Sequence, residues 1–434
     1  MTPPRDGRRT VSVTGLARVE GEGSLHVEVR DGRVEHVELR IYEPPRFFEA
    51  FLRGRRATEA PDLTARICGI CPVAYQMSAC AAVEDALGVH VGPAIADLRR
   101  LLYCGEWMQS HSLHIHLLHA PDFLGCQDAV EMAQRHRAAF ERGLALKKMG
   151  NRIMETVGGR AIHPVNVRVG GFYRAPSRAQ VAALAQPLTD ALAQALDTVA
   201  WVARFDFPDV EADYRFVALR DAGRYPLESG RVASSDGLDA DAAGFADLVV
   251  EEHVARSTAL LARLEGRLEY LTGPLARYAL NSAVLPEPAR DAAARAGLGP
   301  TCANPFRSIV VRAVEVVFAC HEALRLVERY EPPDPPGVPV PHGGGIGTGA
   351  TEAPRGLLFH RYRVDDDGSI ADARIVPPTS QNQLTIEADV RRAVEASLDL
   401  GDDALTWRSE QAVRNHDPCI SCATHFLDVT VERR

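Results

Sequence analysis

The sequence predicts a mainly α-helical protein with a minor β component: a large helical-bundle core, a small N-terminal antiparallel sheet and a C-terminal hairpin. Three observations predict this fold class. Strand-like alternation of apolar residues is confined to the two ends, apolar residues at three-and-four spacing fill the middle, and 434 residues with 46% hydrophobic content suffice for a large core. We expect the whole of 1–434 to form a single domain.

The N-terminal β region is predicted over residues 11–42. Val29 ends one alternating run and Val34 begins the next, with Asp31-Gly32 between them. This dipeptide between alternating runs is typical of a tight hairpin turn. The segment therefore predicts antiparallel strands.

The helical core is predicted over residues 95–330. Its last helix should begin near Asn304, which can act as a cap, with Pro305 in the first helical position. Pro332-Pro333 should end it. The run IVVRAVEVVFACHEALRLV is apolar on most sides, so we expect this helix to be buried.

Residues 331–434 are predicted to form a Pro- and Gly-rich loop, a hairpin and a metal-binding motif. The stretch GGGIGTG (343–349) resembles a dinucleotide-binding glycine motif only loosely, and it follows a loop rather than a strand. We therefore predict no nucleotide site in this chain.

Composition and charge argue against a nucleic-acid-binding or membrane protein. A net charge of −9 argues against a nucleic-acid or anionic-membrane partner, which would favour a basic patch. No apolar run approaches the roughly 18 to 20 residues of a membrane span. Nine cysteines without a recognisable secretion signal predict reduced thiols and a cytoplasmic location.

Four of the cysteines form two C-x-x-C pairs at opposite ends of the chain. Cys68 and Cys71 lie in RICGIC, and Cys419 and Cys422 lie in DPCISCATH. Four thiolates can close a tetrahedral metal site, so a structural zinc site is one interpretation. Zinc pairs usually come from neighbouring segments, however, and soft thiolates also suit nickel, iron and copper(I).

RICGIC and DPCISCATH together, in this order, resemble the two signature motifs of the large, catalytic subunit of [NiFe] hydrogenases. Further segments resemble blocks of the same family over essentially the whole chain, most closely in its cytosolic NAD(P)-linked branch. They are RVEG (18–21), RFFEAFLRGR (46–55), HSLHIHLLHAPD (111–122), GGRAIHPVNVRVGG (158–171), APRG (353–356) and VPPTSQN (376–382).

The resemblance implies a nickel–iron centre that splits hydrogen heterolytically. Cys68 and Cys419 would be terminal nickel ligands, and Cys71 and Cys422 would bridge to an iron carrying cyanide and carbon monoxide. Cys419 would hand a proton to Glu20, although a lone loop glutamate is more often simply solvated.

Other residues acquire roles from the same resemblance. Arg355 would point its guanidinium at the open side of the centre, and Asp122 would orient Arg355 or the local hydrogen-bond network. Glu49 and His425 would bind a second metal, magnesium, with a backbone carbonyl near Ile375. The diatomic ligands would be surrounded by Pro354, Pro378 and Thr379.

One position departs from the family pattern. Tyr75 stands where most members carry a histidine that hydrogen-bonds a bridging thiolate. A tyrosine can donate a hydrogen bond but supplies no positive charge.

The histidines of the His-rich segment share a helix face only in part, so we expect packing roles for His111, His114, His116 and His119.

The resemblance also implies partners. Electrons would leave through a small subunit with iron–sulfur clusters and reach NAD(P) through flavin-containing diaphorase subunits. A maturation protease would cut between His425 and Phe426 after nickel-insertion factors have acted, removing 426–434. Alternatives are a hydrogen-sensing regulatory subunit, a structural zinc protein, and a quinone-site scaffold, against which the retained cysteines argue.

Overall fold

The computed structural model describes residues 8–265 and 269–424. The predicted metal ligand His425 and the predicted extension 426–434 lie outside the described residues. The helices are α1 Phe48–Leu52, α2 Ala60–Thr64, α3 Pro72–Leu87, α4 Pro93–Leu113, α5 Ala120–Leu124, α6 Ala129–Arg135, α7 Arg137–Gly158, α8 Arg178–Ala182, α9 Ala185–Val202, α10 Ala242–Leu248, α11 Pro274–Asn281, α12 Glu287–Arg295, α13 Ser308–Glu328, α14 Pro378–Glu395, α15 Asp402–Arg414 and α16 Ile420–Ala423.

The strands form small antiparallel sheets with the orders β1-β2-β3, β4-β5, β6-β7-β8, β9-β10 and β11-β12-β13. Their bounds are β1 Arg8–Val13, β2 Gly23–Arg30, β3 Arg33–Ile41, β4 Val167–Arg168, β5 Gly171–Phe172, β6 Val217–Arg220, β7 Arg231–Ser234, β8 Asp239–Ala240, β9 Val249–Glu252, β10 Leu261–Leu264, β11 Gly345–Ala353, β12 Gly356–Val364 and β13 Ile370–Val376. The predicted fold class, mainly α with a minor β component, is confirmed.

The N-terminal sheet follows the sequence closely. β2 and β3 are joined at Asp31 and Gly32, whose φ angles are 49° and 74°. Asp and Gly tolerate this left-handed region better than most residues, so the dipeptide fixes the tight turn. The hairpin predicted near the C-terminus is also present, as β12 and β13.

The predicted helical core 95–330 needs a correction. Residues 203–265 and 269–272 contain little helix: β6 to β10 and the short α10 fold there around an apolar cluster that they share with β11, β12 and β13. These strands are only two to four residues long, too short for alternation to stand out in the sequence. Asn304 caps the start of the last core helix as predicted, because its side chain accepts a hydrogen bond from Phe306 N at 2.9 Å. The first turn, however, is a 3₁₀ helix that leads into α13.

The Gly-rich stretch predicted as loop is partly strand β11. A Cβ on Gly345, Gly347 or Gly349 would lie within 2.1–2.5 Å of a backbone oxygen of α3. Only glycine lets a strand lie this close to a helix. The glycines therefore serve packing of β11 against α3.

Two apolar clusters place the ends of the chain together. The larger one contains α3, α4, α7, α9 and α13, and both cysteine pairs belong to it. The second joins the N-terminal sheet to α14 and α15. Because α15 leads directly into DPCISC, this packing brings the N-terminal strands beside the C-terminal cysteines. No helix among the described residues is long and apolar enough to cross a membrane.

Candidate metal centre

The N-terminal cysteine pair is held by the start of a buried helix. Cys71 is the residue before α3, and Cys68 precedes it in a short loop. The buried carboxyl group of Glu106, whose pKa is raised by burial, accepts the Val73 and Ala74 N–H groups at 2.6 and 3.0 Å. It thereby satisfies two of the amide donors that a helix N-terminus leaves free.

The C-terminal pair is held by neighbours from distant parts of the chain. Cys419 forms an isolated parallel bridge with Glu20, in which Ile420 N donates to Glu20 O at 3.0 Å. The Cys419 N–H donates to Thr379 Oγ1 at 3.0 Å. The Arg46 guanidinium bonds both the Ile67 carbonyl and the Ser421 carbonyl, linking the two cysteine loops.

The four thiols converge in one buried cluster. The Sγ–Sγ distance is 3.5 Å for Cys68–Cys419 and for Cys71–Cys422, and 2.8 Å for Cys419–Cys422. All four sulfur atoms lie within 4.8 Å of one another, the only such group of three or more potential metal ligands among residues 8–265 and 269–424. Burial raises the pKa of Cys419 well above its ordinary value, so a binding metal must displace protons.

Glu20 reaches the cluster as predicted. Its Oε2 lies 3.1 Å from Cys419 Sγ and accepts the Ser421 N–H at 3.1 Å. Burial, and then the charge of Cys68, raise the pKa of Glu20. A carboxyl with a raised pKa in contact with a thiol can exchange a proton with it.

Arg355 is enclosed beside the thiols and pairs with a residue that sequence reasoning missed. Its Nη2 donates to Asp417 Oδ1 at 3.1 Å and its Nε donates to the Asp417 carbonyl at 2.9 Å. Nη1 lies 3.4 Å from Ser110 Oγ. Asp417 stands two residues before Cys419 within the C-terminal motif, a signal that could have identified it; Ser110 carried no such signal.

Of the two roles predicted for Asp122, direct orientation of Arg355 is not what the structure shows. The Asp122 carboxylate accepts two bonds from Arg414, at 2.8 and 2.9 Å, and one from Arg18 at 2.5 Å. It therefore joins α5 to the end of α15 and to the N-terminal segment. This network supports the backbone of the site at a distance from the thiols.

The segments that carry the site contain unusual backbone. Arg18, Phe47, His163 and Asp417 have φ between 50° and 59°, in the left-handed region that few non-glycine residues adopt. Each lies in a segment that resembles the hydrogenase family. Such conformations persist only where the surrounding structure holds them, and they concentrate at functional sites.

Thr379, Pro378 and Pro354 are buried next to these elements. Thr379 and Pro378 start α14, and Pro354 lies in the turn between β11 and β12. The Thr379 hydroxyl oxygen accepts the Cys419 N–H, which leaves its own hydrogen free to donate to another group.

Glu49 lies beside Ile375, the pair predicted at the second metal. Glu49 Oε1 accepts the Ile375 N–H at 2.6 Å. Burial, and then the charge of Glu251, raise the pKa of Glu49 to about 8. A carboxyl with this pKa is mostly protonated at neutral pH and would lose its proton when a cation binds.

Tyr75, the departure from the family pattern, lies one helical turn after Cys71. Its ring contacts His360 with centroids 5.7 Å apart. Burial, then the charges of Cys422 and Cys71, raise its pKa well above the ordinary value, so the hydroxyl keeps its proton. Of the predicted packing histidines, His111 lies in α4, and His114, His116 and His119 lie buried in a π-helical stretch, His114–His119.

The donor set fits the nickel–iron group that the motifs imply. Four soft thiols face one another, a permanent cation lies on one side and a carboxyl contacts one sulfur. Thiolates stabilise nickel in low oxidation states, and the arginine offsets their negative charge.

A family model described as nickel-dependent hydrogenase matches residues 46–144 and 328–425, which include both cysteine pairs. Sulfhydrogenase 1 subunit alpha of Pyrococcus furiosus is 32% identical over 423 residues, 96% of this chain and 98% of that protein. This chain belongs to the nickel-dependent hydrogenase family. The similarity of this hydrogenase chain to the Pyrococcus furiosus protein extends over nearly its whole length, well beyond the two cysteine motifs.

Two further comparisons agree with this hydrogenase assignment. The NAD-reducing hydrogenase HoxS subunit beta of Cupriavidus necator is 28% identical, covering 96% of this chain and 95% of that protein. A crystal structure of an NAD+-reducing [NiFe]-hydrogenase in the H2-reduced state matches with a TM-score of 0.87 and 29% identity, over 96% and 99% of the two chains. The hydrogenase chain thus shares its fold with an enzyme of known architecture.

Proposed function

We propose that this chain is the catalytic subunit of a cytoplasmic [NiFe] hydrogenase that cleaves hydrogen reversibly and passes electrons, through an iron–sulfur subunit, to NAD(P). The observation that carries the proposal is the buried four-thiol cluster, whose cysteine pairs are 351 residues apart, with Glu20 in contact at 3.1 Å. A structural zinc site needs neither a contacting carboxyl nor an enclosed arginine.

Cys68, Cys71, Cys419 and Cys422 would together hold a nickel–iron group whose iron carries cyanide and carbon monoxide. When bound, this group supplies the electron-accepting centre at which hydrogen is split. Glu20 accepts the proton from Cys419, because the two groups are in contact and the pKa of Glu20 is raised.

The remaining polar groups hold this arrangement. Arg355 supplies positive charge beside the thiolates, and Asp417 fixes its direction through two hydrogen bonds. The free hydroxyl hydrogen of Thr379 suits a cyanide nitrogen, while Pro354 and Pro378 exclude water.

A second metal, magnesium, would be held by Glu49, the Ile375 carbonyl and His425. In a strand, the N–H and C=O of one residue point to the same side, so the bond from Ile375 N to Glu49 places that carbonyl on the Glu49 side. Magnesium would keep several water ligands besides these.

Removal of 426–434 by a maturation protease, after nickel-insertion factors have acted, would bring His425 to this metal. Mass spectrometry tests the cleavage. The expected C-terminus of nickel-loaded, active protein is His425, and an intact Arg434 in such a preparation would refute the step.

The electron route rests on likeness to relatives. Two of the three reported relatives are described as NAD-reducing, whereas the Pyrococcus furiosus protein is named a sulfhydrogenase. We infer a small iron–sulfur subunit and flavin-containing diaphorase subunits as partners, because the described residues contain no cysteine cluster beyond the four-thiol site.

Elemental analysis and infrared spectroscopy test the proposal. Protein co-expressed with its maturation factors should contain nickel and iron, show bands of bound carbon monoxide and cyanide, and oxidise hydrogen with NAD or NADP when its partners are present. The variant Cys419→Ser, prepared in the same way, is the control and should show none of these. Zinc without nickel or iron in the parent protein would sink the proposal.

A further inference from the structure

Arg277, in α11, is enclosed by acceptors. Its Nε and Nη2 donate to Glu315 at 2.8 Å each, and its Nη1 donates to Glu352 at 3.0 Å. Nη1 also donates to the Ala353 carbonyl and Nη2 to the Pro354 carbonyl, both at 2.9 Å. All five N–H donors of the guanidinium are therefore used, which requires the planar fork of arginine.

The two carbonyls belong to the residues immediately before Arg355. Ala353 pairs with Gly356 at the end of the β11–β12 ladder, so the loop between the strands consists of Pro354 and Arg355 alone. This two-residue turn carries the guanidinium that lies beside the thiols. Whatever fixes the turn also fixes where that guanidinium points.

The start of α11 meets the same turn from a second direction. Gly273, whose φ is 114°, lies so close that a Cβ there would be 2.7 Å from the Arg355 carbonyl oxygen. Gly273 O in turn accepts the Arg277 N–H at 2.9 Å. One short segment thus contacts the turn through both its backbone and its arginine.

The carboxylates that hold Arg277 have further partners of their own. Glu315 accepts the Tyr225 hydroxyl at 2.8 Å, and Glu352 accepts the Leu219 N–H at 2.7 Å. Burial would raise the pKa of Glu315, but the charge and hydrogen bonds of Arg277 outweigh it and bring that pKa to about 2. Arg277 and Glu315 therefore form an ionised pair, whereas burial raises the pKa of Glu352 to about 7 against the charge of Arg277. The Arg277 guanidinium cannot shift without leaving the Glu315 charge unpaired in apolar surroundings.

We propose that Arg277 is a positioning residue for Arg355: by binding the carbonyls of Ala353 and Pro354, it sets the turn that aims the Arg355 guanidinium at the four-cysteine cluster. This inference rests on the proposed function where Arg355 acts on the metals. Arg277 itself contacts neither the thiols nor substrate, and it acts through the turn.

The test compares Arg277→Lys with Arg99→Lys. Lysine keeps the charge but cannot serve two carboxylates and two carbonyls at once. Arg99 is a matched control, because it is also a buried arginine bound by two bonds to a carboxylate, Glu84, and by one to a carbonyl, and its contacts do not include the turn. Both variants should lower the thermal stability to a similar degree.

Only Arg277→Lys should alter the site. With nickel and iron bound at the parent level, it should lower kcat for hydrogen oxidation about tenfold or more and shift the cyanide infrared bands, because a small misplacement of a positioning group has large effects. The double variant with Arg355→Lys should be no slower than Arg355→Lys alone, since both act through the same group.

Three results would overturn the inference: an unchanged kcat and unchanged bands in Arg277→Lys, the same losses in Arg99→Lys, or additive losses in the double variant. Failure of the proposed function would be recognised separately, because the parent protein would then contain no nickel and iron. Crystal structures of the two variants test the positioning even then: the 353–356 turn should be displaced in Arg277→Lys and undisturbed in Arg99→Lys, and an undisplaced turn in both would refute it.

Discussion

The two cysteine pairs form one site but are supported in different ways. Cys68 and Cys71 stand at the start of α3, a helix buried along most of its length and capped by Glu106. Cys419 is the residue before a four-residue helix that contains Cys422, and this segment is held by contacts from Glu20, Thr379, Arg46 and Arg355. Both pairs are buried in the same core cluster, but the first adjoins a long buried helix, whereas the second lies in a short segment held by hydrogen bonds from distant parts of the chain.

This difference has a physical consequence for metal insertion. A pair that adjoins the start of a long buried helix cannot move without disturbing that helix, while a short segment can detach at the cost of its hydrogen bonds and of the burial of its own few side chains. The C-terminal pair is thus the side from which a metal group could enter. The following predictions test this contrast, from the largest expected effect to the smallest.

The largest effect is expected from loss of a thiol in either pair. Cys68→Ser and Cys422→Ser should both abolish nickel and iron binding and hydrogen oxidation, because each removes one soft ligand of the same group. Metal analysis and a hydrogen uptake assay check this. Stoichiometric nickel in either variant would contradict a shared site.

Glu20→Gln should leave the metals in place and slow catalysis. The amide keeps the size of the side chain but cannot carry the proton from Cys419, so kcat should fall by about 10²–10⁴-fold. Metal content and the infrared bands serve as controls, and both should match the parent protein. A kcat within twofold of the parent would assign the proton to another group.

Glu106→Gln and Thr379→Val compare the supports of the two pairs directly. Glu106→Gln leaves a buried amide of α3 without its acceptor and should lower the free energy of unfolding by about 1–3 kcal/mol. Thr379→Val leaves the buried Cys419 N–H without its acceptor and should cost about 1 kcal/mol, the low end of the same range, because this short segment can shift to bring the amide to another acceptor. Thermal unfolding of the metal-free proteins measures both.

Amide hydrogen exchange should show that each variant loosens a different segment. Thr379→Val should increase exchange within 415–424 and leave α3 protected, whereas Glu106→Gln should increase exchange at the start of α3. Equal protection of the two segments in the metal-free parent protein would remove the contrast between the pairs.

Lowering the pH should release the C-terminal cysteine pair before the N-terminal pair. Burial lowers the pKa of His114 and His119 well below the ordinary value, and these rings bond the Arg414 carbonyl and the Asn415 side chain at 2.9 Å each. The folded state therefore binds fewer protons than the unfolded state. Their stabilising contribution is complete above about pH 6.5 and falls by up to roughly 1.4 kcal/mol per pH unit for each ring below it.

The variant His114→Gln tests this effect. Glutamine can still donate a hydrogen bond to the Arg414 carbonyl but does not titrate near pH 6. Below that pH its free energy of unfolding should therefore fall less steeply than that of the parent. Parallel curves for the two proteins would show that the ring does not titrate on unfolding. Arg312 faces these rings from α13, and its charge also opposes their protonation.

The sequence by itself determined the helical class, the N-terminal hairpin at Asp31-Gly32 and the identity of the four thiols. These features are local: a turn dipeptide, a repeat of apolar residues or a C-x-x-C spacing carries its own physical requirement. The family motif also singled out Glu20, whose carboxyl the structure brings into contact with Cys419.

Only the tertiary structure decided which side chains support the site. Asp417 rather than Asp122 orients Arg355, Glu106 caps the helix of the first pair, and Arg277 holds the turn at Arg355 from 78 residues away. The Gly-rich run 343–349 became a strand because α3 lies against it. Such contacts join residues whose separation in the chain carries no signal, so packing of the folded core alone brings them together.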